Sequence, residues 1–209
     1  MKRKSIFGLF WRSTATTALL LLAGCVTTQV EPGKEAESPH TTVSVRAGYT
    51  CCNLHYDGER IIDSNPSQLP FLPLGTPIRI KRVEGYVAYA DVGGRPMQLT
   101  LESGRTPENF RLWLERIVVG DNPQIKLSGF PSAMREAITA GQVTKGMNRE
   151  QVIMAIGYPQ TSDKIRMDGP HWRYWWSAYL PYYVYWSGNK LTRVEGPAEA
   201  VGTVFSRAR

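Results

Sequence analysis

The stretch KGMNREQVIMAIGYP, residues 145–159, decides how the second half of this 209-residue chain is expected to fold. Asn148 is a residue type that caps helix N-termini, and Gln151 follows three positions later, at the spacing of a capping box. Gly146 allows a tight turn before the cap, and Gly157 supplies a left-handed helix end. The stretch therefore predicts a short helix with a defined start and a defined end.

Another helix and three strands are expected around this stretch. Residues 131–141 predict a short helix that precedes it. Three β-like runs follow it, at 171–177, 182–187 and 191–195. We therefore predict a two-layer α-α-β-β-β domain over residues 125–196, followed by a tail over residues 197–209.

The first half of the chain has the pattern of a small β-rich domain. Between residues 43 and 121, short β-like runs are separated by hairpin signals such as Asp57-Gly58 and Gly93-Gly94. Thr106 and Pro107 then supply the N-cap and the first position of a helix. We predict a five-stranded, strongly bent antiparallel sheet or small barrel closed by one helix, with an SH3-like barrel as the leading version, and hence an α+β chain of two domains.

Nine residues of the second half form a recognisable pattern: Gly146, Met147, Asn148, Gln151, Val152, Gly157, Pro159, Trp172 and Tyr174. The pattern resembles the small outer-membrane lipoproteins typified by BamE, in which a Gly-Met-Thr turn caps a helix and a Trp-x-Tyr strand packs beneath it. The resemblance implies a non-catalytic scaffold in which these residues are structural. It also suggests an association with β-barrel assembly or with phosphatidylglycerol. About 100 residues separate Cys25 from this domain, whereas the family has few.

The first 25 residues predict an export signal that ends in a lipid attachment site. Three cations at positions 2–4 precede an apolar run that closes with Leu22-Ala23-Gly24-Cys25, which is the composition of a secretory signal. The last four residues are similar to a bacterial lipobox, which implies cleavage before Cys25 and acylation of this cysteine. The alternative is an uncleaved membrane helix over residues 6–24, although Arg12 and four Ser or Thr residues interrupt that run.

The predicted signal peptide, residues 1–24, is followed by a tether. Residues 25–42 contain few apolar side chains and have no period, which is typical of a flexible segment. Val26 stands where other lipoproteins retained in the inner membrane have Asp. We therefore expect the protein to be held by Cys25 in the periplasmic leaflet of the outer membrane.

Charge and motifs argue against two large classes of function. The chain has 25 Lys and Arg against 18 Asp and Glu, but four cations lie in residues 1–24, which leaves 21 cations and a net charge of +3 from Cys25 onward. There is no nucleic-acid-binding motif, so we expect no nucleic-acid partner. No nucleophile or metal motif surrounds His40, His55 or His171. We expect no enzyme, no metal and no cofactor.

The segment from Trp172 to Trp186 holds nine aromatic residues in fifteen positions. Trp172, Tyr174 and Trp176 share one face of a strand and predict a core. A sheet with helices on one face must direct other aromatics elsewhere, so six residues are candidates for binding a partner: Trp175, Tyr179, Tyr182, Tyr183, Tyr185 and Trp186. These side chains could be shielded from solvent by the first domain, a protein partner, a glycan or lipid headgroups.

The adjacent cysteines Cys51 and Cys52 are unusual in an exported chain. Neighbouring strand residues point to opposite faces, so the leading interpretation is one buried and one exposed thiol. The alternatives are a vicinal disulfide, an intermolecular disulfide, and a metal site that includes His55.

These observations favour a non-catalytic interaction module of the cell envelope. The module would bind an envelope protein, as an accessory to an outer-membrane assembly or surface complex. The alternative is a receptor for a glycan such as peptidoglycan, or for a lipid headgroup, that uses the aromatic strands. A deep aromatic cleft would favour the ligand, and a flat aromatic patch would favour the protein.

Overall fold

The first half of the chain is a curled sheet packed on one helix. The computed structural model describes residues 47–159 and 166–206, so the predicted signal peptide, Cys25 and the tether lie outside the described residues. The elements of this half are β1 (Ala47–Thr50), β2 (Leu54–His55), β3 (Arg60–Ile62), β4 (Phe71–Leu72), β5 (Pro77–Glu84), β6 (Val87–Val92), β7 (Arg95–Thr100), α1 (Pro107–Ile117) and β8 (Val118–Val119).

Six of these strands form a single sheet in the order β3-β7-β6-β5-β1-β8. Strand β6 alternates buried and half-buried side chains, as expected for a sheet with one face on a core. Gly93 and Gly94 make the β6–β7 turn with φ of +61° and +82°, which confirms the hairpin signal. The prediction of a wholly antiparallel sheet is wrong at one edge, because β3 runs parallel to β7.

Helix α1 covers the inner face of this sheet and begins where the sequence predicts. The hydroxyl of Thr106 accepts a hydrogen bond from the Asn109 backbone N–H at 3.1 Å, and Pro107 occupies the first turn. The side chains that α1 buries recur on one face at helical spacing. They are Phe110, Trp113, Leu114 and Ile117.

The second half contains the two predicted helices and the three predicted strands, together with four further elements. In chain order, the elements are α2 (Pro123–Ser128), α3 (Ser132–Thr139), β9 (Val143–Thr144), α4 (Arg149–Ile156), β10 (His171–Ser177), β11 (Leu180–Ser187), β12 (Lys190–Glu195), α5 (Ala198–Val204) and β13 (Phe205–Ser206). Strands β10, β11 and β12 form an antiparallel sheet with β11 in the centre. The prediction of a mixed α+β chain is confirmed.

The capping box of α4 is present as predicted. The Asn148 side chain accepts from the Gln151 backbone N–H at 2.8 Å, and the Gln151 side chain accepts from the Asn148 N–H at 2.8 Å. Met147 and Val152 are buried beside it. The helix ends at Gly157 with φ of +82°, a conformation that favours glycine. Pro159 is also buried.

The segment predicted as a tail is largely part of the fold. Residues Ala198–Val204 form α5, and Ala200 and Val204 are buried in the core of the second half. The chain then adds β13, which pairs in parallel with β9 through Phe205 and Val143. A short amphipathic helix and a two-residue strand gave too little periodicity to be recognised in the sequence.

The core consists of two hydrophobic clusters within one compact unit. One cluster joins α1 to the six-stranded sheet, and the other joins α3, α4 and α5 to the three-stranded sheet. Leu74 belongs to the second cluster although it comes from the first half, and Ile153 packs against both. The domains predicted over 43–121 and 125–196 stay a prediction.

Candidate functional site

Asn53 joins the two halves through hydrogen bonds to backbone groups of both. Its side-chain N–H groups donate to the carbonyl oxygens of Ile138 and Ala155 at 2.8 and 2.9 Å, and its Oδ1 accepts from the Leu74 N–H at 2.9 Å. Ile138 lies in α3 and Ala155 in α4, where terminal carbonyls lack partners within the helix. A buried asparagine of the first half therefore caps two helices of the second half.

Asn65 repeats this arrangement at the neighbouring carbonyl. Its side-chain amide donates to the Ile156 carbonyl at 3.0 Å, and its Oδ1 accepts from the His55 N–H at 2.7 Å. Asn65 has φ of +46°, which asparagine tolerates better than most residues. A Cβ added at Gly157 would lie 2.4 Å from the Asn65 amide nitrogen, so Gly157 is required by this contact as well as by its own φ.

Tyr174 and Tyr182 are buried tyrosines of the three-stranded sheet, and Tyr182 contacts the first half of the chain. Their rings stack at 5.5 Å between centroids. The Tyr174 hydroxyl donates to the Gly157 carbonyl at 3.1 Å, and the Tyr182 hydroxyl lies 2.7 Å from the Ser67 hydroxyl. Desolvation by burial raises the pKa of both phenols above the ordinary value. Both side chains are therefore neutral structural groups at physiological pH.

Two of the six partner-binding candidates face the interior, so the prediction that they point outward is wrong for Tyr182 and Trp186. Tyr182 is 0% exposed and Trp186 is 9% exposed. The register places Tyr182 directly opposite Tyr174 on the neighbouring strand, and directly opposed residues share a face of a sheet. The register therefore determines which residues of β11 face the core, and the sequence alone did not reveal this register.

The remaining strand candidates lie on the other face of the three-stranded sheet. We call this the outer sheet face. It comprises His171, Arg173, Trp175, Tyr183, Tyr185, Arg193 and Glu195. The pairing brings His171 opposite Tyr185 and Arg173 opposite Tyr183, so basic residue types and tyrosines stand opposite one another on neighbouring strands.

Contacts among these side chains give the outer sheet face a defined shape. The His171 ring packs 5.8 Å from the Tyr183 ring and 5.6 Å from the Tyr185 ring. The Arg193 guanidinium lies over the Tyr185 ring at 3.8 Å, and the Arg173 guanidinium lies 5.2 Å from the centre of the Trp175 ring. The three aromatic residues are half-buried. They form one patch, because they stand on the same face of one sheet and His171 contacts both tyrosines.

Glu195 completes the patch at its edge. Its carboxylate accepts from Arg193 Nε at 2.5 Å, and this ion pair lowers the pKa of Glu195 below its usual range. A hydrogen bond to Glu195 raises the pKa of the Tyr185 phenol. The charges of Arg193 and Glu195 thus compensate one another beside the aromatic rings.

The hairpin that connects β10 and β11 projects an apolar tip beside the outer sheet face. Tyr179 is 89% exposed and Leu180 is 47% exposed. Tyr179 is therefore a surface residue, as the sequence predicted. Exposed large apolar side chains next to a patch of half-buried aromatics mark an interaction surface more often than scattered single residues do.

Arg149 is a structural residue that the sequence did not single out. Its guanidinium packs 4.7 Å from the Trp186 ring and 5.4 Å from the Trp172 ring. Its N–H groups donate to the carbonyl oxygens of Met167, Gly169 and Gly188. The fork geometry of arginine suits such multiple donation. Trp172 is buried as predicted, and its Nε1 also donates to the Met167 carbonyl.

Cys51 and Cys52 form a disulfide with one another. The interpretation of one buried and one exposed thiol is wrong, because both residues are buried. Strand β1 ends at Thr50, so the alternation of a regular strand does not apply to the bend that follows. The bond uses both sulfurs, which leaves neither for the intermolecular disulfide or the metal site that the sequence also allowed.

His55 and Asp63 are buried titratable groups of the first half. His55 Nδ1 lies 2.6 Å from the Leu69 carbonyl, which identifies it as the protonated nitrogen, and its Nε2 makes no hydrogen bond within the described residues. Desolvation lowers the pKa of His55. Desolvation also raises the pKa of Asp63, although its Oδ1 accepts from the Glu102 N–H at 2.7 Å. The hydrogen bonds described for these two side chains go to backbone groups and not to another titratable side chain.

Comparison of the chain with protein-family models, with curated proteins and with solved structures finds no match. Among residues 47–159 and 166–206, no helix is long and apolar enough to cross a membrane. The same residues contain no group of three His, Cys, Asp or Glu side chains that could hold a metal ion. The function is therefore inferred from residues and their geometry.

Proposed function

We propose that this protein is a lipoprotein anchored by Cys25 in the periplasmic leaflet of the outer membrane, and that its folded part is a non-catalytic module that binds an envelope protein. The observation that carries the proposal is the outer sheet face with its exposed hairpin tip. Tyr, Trp and Arg are the residue types that contribute most to protein interfaces, and five of the seven residues of this face are of these types.

The geometry of the face favours a protein over a glycan. A sugar ring stacks on the free face of an aromatic ring, but Arg193 lies over Tyr185 and Arg173 lies near the Trp175 ring. The patch stands on one face of a single three-stranded sheet. A sheet face of aromatic and guanidinium groups suits a protein surface that supplies carboxylates and apolar side chains.

At the level of fold, we propose an SH3-like arrangement of the first half and a BamE-like arrangement of the second. Support for the second comes from the α3-α4-β10-β11-β12 order, the Asn148 capping box and the buried Trp172 and Tyr174. An accessory role in outer-membrane assembly or in a surface complex would be consistent with this likeness. The chain differs from that family by the β-rich half that precedes this domain.

Site-specific photocrosslinking in membranes tests the proposed interaction. A photoreactive amino acid at Tyr179 should give a discrete protein adduct, because this side chain projects from the hairpin tip. The same amino acid at Tyr89, a half-buried tyrosine of strand β6, is the matched control and should give none. Adducts of equal yield at both positions, or an adduct at neither, would contradict the assignment of the surface.

The anchor is tested separately by Cys25→Ser. The variant should leave the membrane fraction or accumulate with its signal attached, since serine cannot take up the thioether-linked lipid. Cell fractionation and mass measurement distinguish these forms. A variant that is cleaved and remains in the membrane like the parent would refute lipidation at Cys25.

A further inference from the structure

A groove of about 850 Å³ lies between α2 and α4 and shares no lining residue with the outer sheet face. Its volume is within the range of small-molecule sites, about 300–1,000 Å³. The apolar part of its lining includes Cys51, Val119, Ile125, Ile153, Met154 and Tyr158. The sulfur of Cys51 is bonded to Cys52, so it offers the groove a polarisable apolar surface and no thiol.

Ile125 is a large apolar side chain that the groove leaves exposed to solvent. It lines the groove from α2, yet it is 75% exposed. Helix α2 buries none of its own residues. It is held by half-buried Leu127, which packs against the second core cluster, by Gln124, which donates to the Leu74 carbonyl at 3.1 Å, and by an ion pair between Lys126 and Glu150. An apolar molecule between α2 and α4 would remove the Ile125 surface from water, which is favourable.

Tyr158 adds one hydroxyl group to the lining of the groove. Desolvation raises the pKa of this phenol, so it is neutral and can both donate and accept. A hydroxyl of this kind can bond to the polar group of a ligand.

The charges around the groove favour an uncharged ligand. Lys126 and Glu150 neutralise one another across the rim. Asp121 adds an exposed carboxylate on one side, while Arg116 lies 5.8 Å from the Tyr158 ring on another. Arg116 and Glu150 also shift the pKa of Tyr158 in opposite directions. Asp121 would repel an anion, and a largely apolar lining whose Lys126 and Glu150 are paired with one another suits an uncharged molecule.

We propose that this groove binds a small uncharged lipophile that carries one hydrogen-bonding group. Its apolar body would lie on Ile125, Met154 and the Cys51–Cys52 disulfide, and its polar group would bond to the Tyr158 hydroxyl. The proposal is independent of the protein-binding role of the outer sheet face, because the two surfaces have no residue in common.

Two fluorescent probes that differ by one charge test the proposal. N-phenyl-1-naphthylamine is uncharged and has one N–H donor, and 8-anilino-1-naphthalenesulfonate is the same scaffold with an anionic group. Both are titrated into the full chain carrying Cys25→Ser, so that no acyl chain competes for the probe. We expect saturable binding of one uncharged probe per chain, and binding of the sulfonate at least about tenfold weaker because of Asp121.

Variants connect the binding to the groove. Ile125→Gln should weaken the uncharged probe about fivefold, since the ligand loses one apolar contact. The matched control is Leu112→Gln, a half-buried leucine of α1 that does not line the groove, and it should leave the affinity unchanged. Tyr158→Phe should weaken the probe about threefold to tenfold through the lost hydrogen bond, while Tyr86→Phe should not. Thermal unfolding of each variant shows that the fold is retained.

Three results would overturn the proposal. The first is no saturable binding, as expected if the groove is covered by another segment of the chain or accepts only a protein. The second is equal or tighter binding of the sulfonate. The third is an affinity that Ile125→Gln and Tyr158→Phe leave unchanged relative to their controls.

Discussion

At the scale of single residues, Asn53 connects the two halves through three hydrogen bonds of its side chain. It satisfies two helix carbonyls and one backbone N–H, all of them buried. We predict that Asn53→Ala lowers the free energy of unfolding by about 3 kcal/mol, because each buried group left without a partner costs about 1–3 kcal/mol. Urea unfolding of the variant beside the parent measures the difference.

Asn109→Ala provides the control for this prediction. Asn109 donates to the Gly104 carbonyl at an exposed site, so its replacement should cost less than about 1 kcal/mol. Equal losses in the two variants would show that the buried hydrogen bonds of Asn53 add no more to the free energy of unfolding than an exposed hydrogen bond does.

His55 predicts a dependence of stability on pH. Its folded pKa lies below the ordinary 6.5, so the unfolded chain takes up a proton first as the pH falls. Stability that is present above pH 6.5 is therefore lost below it, by up to about 1.4 kcal/mol per pH unit. Asp63 acts in the opposite sense, because its raised pKa makes the folded state bind a proton more readily than the unfolded chain.

The contribution of His55 is isolated by a difference measurement. The free energy of unfolding is measured at about pH 7.5 and about pH 5.5 for the parent and for His55→Gln. The parent should lose about 1 kcal/mol more than the variant over this interval, since Asp63 contributes equally to both. Identical changes in parent and variant would show that His55 does not retain its neutral form on burial.

At the scale of elements, α5 and β13 turn a predicted tail into a stabilising part of the fold. Removal of residues 197–209 exposes the core around Ala200 and Val204 and leaves β9 without its parallel partner. We predict a loss of at least about 3 kcal/mol in the free energy of unfolding. Glu199→Ala, at an exposed position of α5, is the control and should cost little. A full truncation with the parent's unfolding midpoint would contradict the packing of α5.

Helix ends were predictable from sequence because their signals are local. Thr106 with Pro107, and Asn148 with Gln151, specify caps within four residues, and both caps are present. Strand parity was not predictable for β11, because it depends on pairing with β10 across a turn of unknown length. The same limit explains why Trp175, Tyr179, Tyr183 and Tyr185 were correctly placed at the surface while Tyr182 and Trp186 were not.

At the scale of the whole molecule, the features that join the halves leave no pattern in the sequence. Asn53, Asn65 and Ser67 are ordinary loop residues until their distant partners are known, and the bonds of Asn53 and Asn65 to α3 and α4 span 85–102 residues. The groove beside α2 likewise combines residues from four separate parts of the chain. Such sites follow from tertiary packing and become visible only in the folded molecule.

The outer sheet face is the surface that we propose binds an envelope protein. The most direct test measures, for Trp175→Ala, Tyr183→Ala and Tyr185→Ala, the yield of the adduct formed from position 179 in membranes, together with the unfolding midpoint of each variant. We predict that the adduct falls at least about tenfold while stability falls by less than the ~3–5 kcal/mol expected of the buried Tyr182→Ala. A stability loss of that size in all three variants, or an undiminished adduct, would contradict the claim.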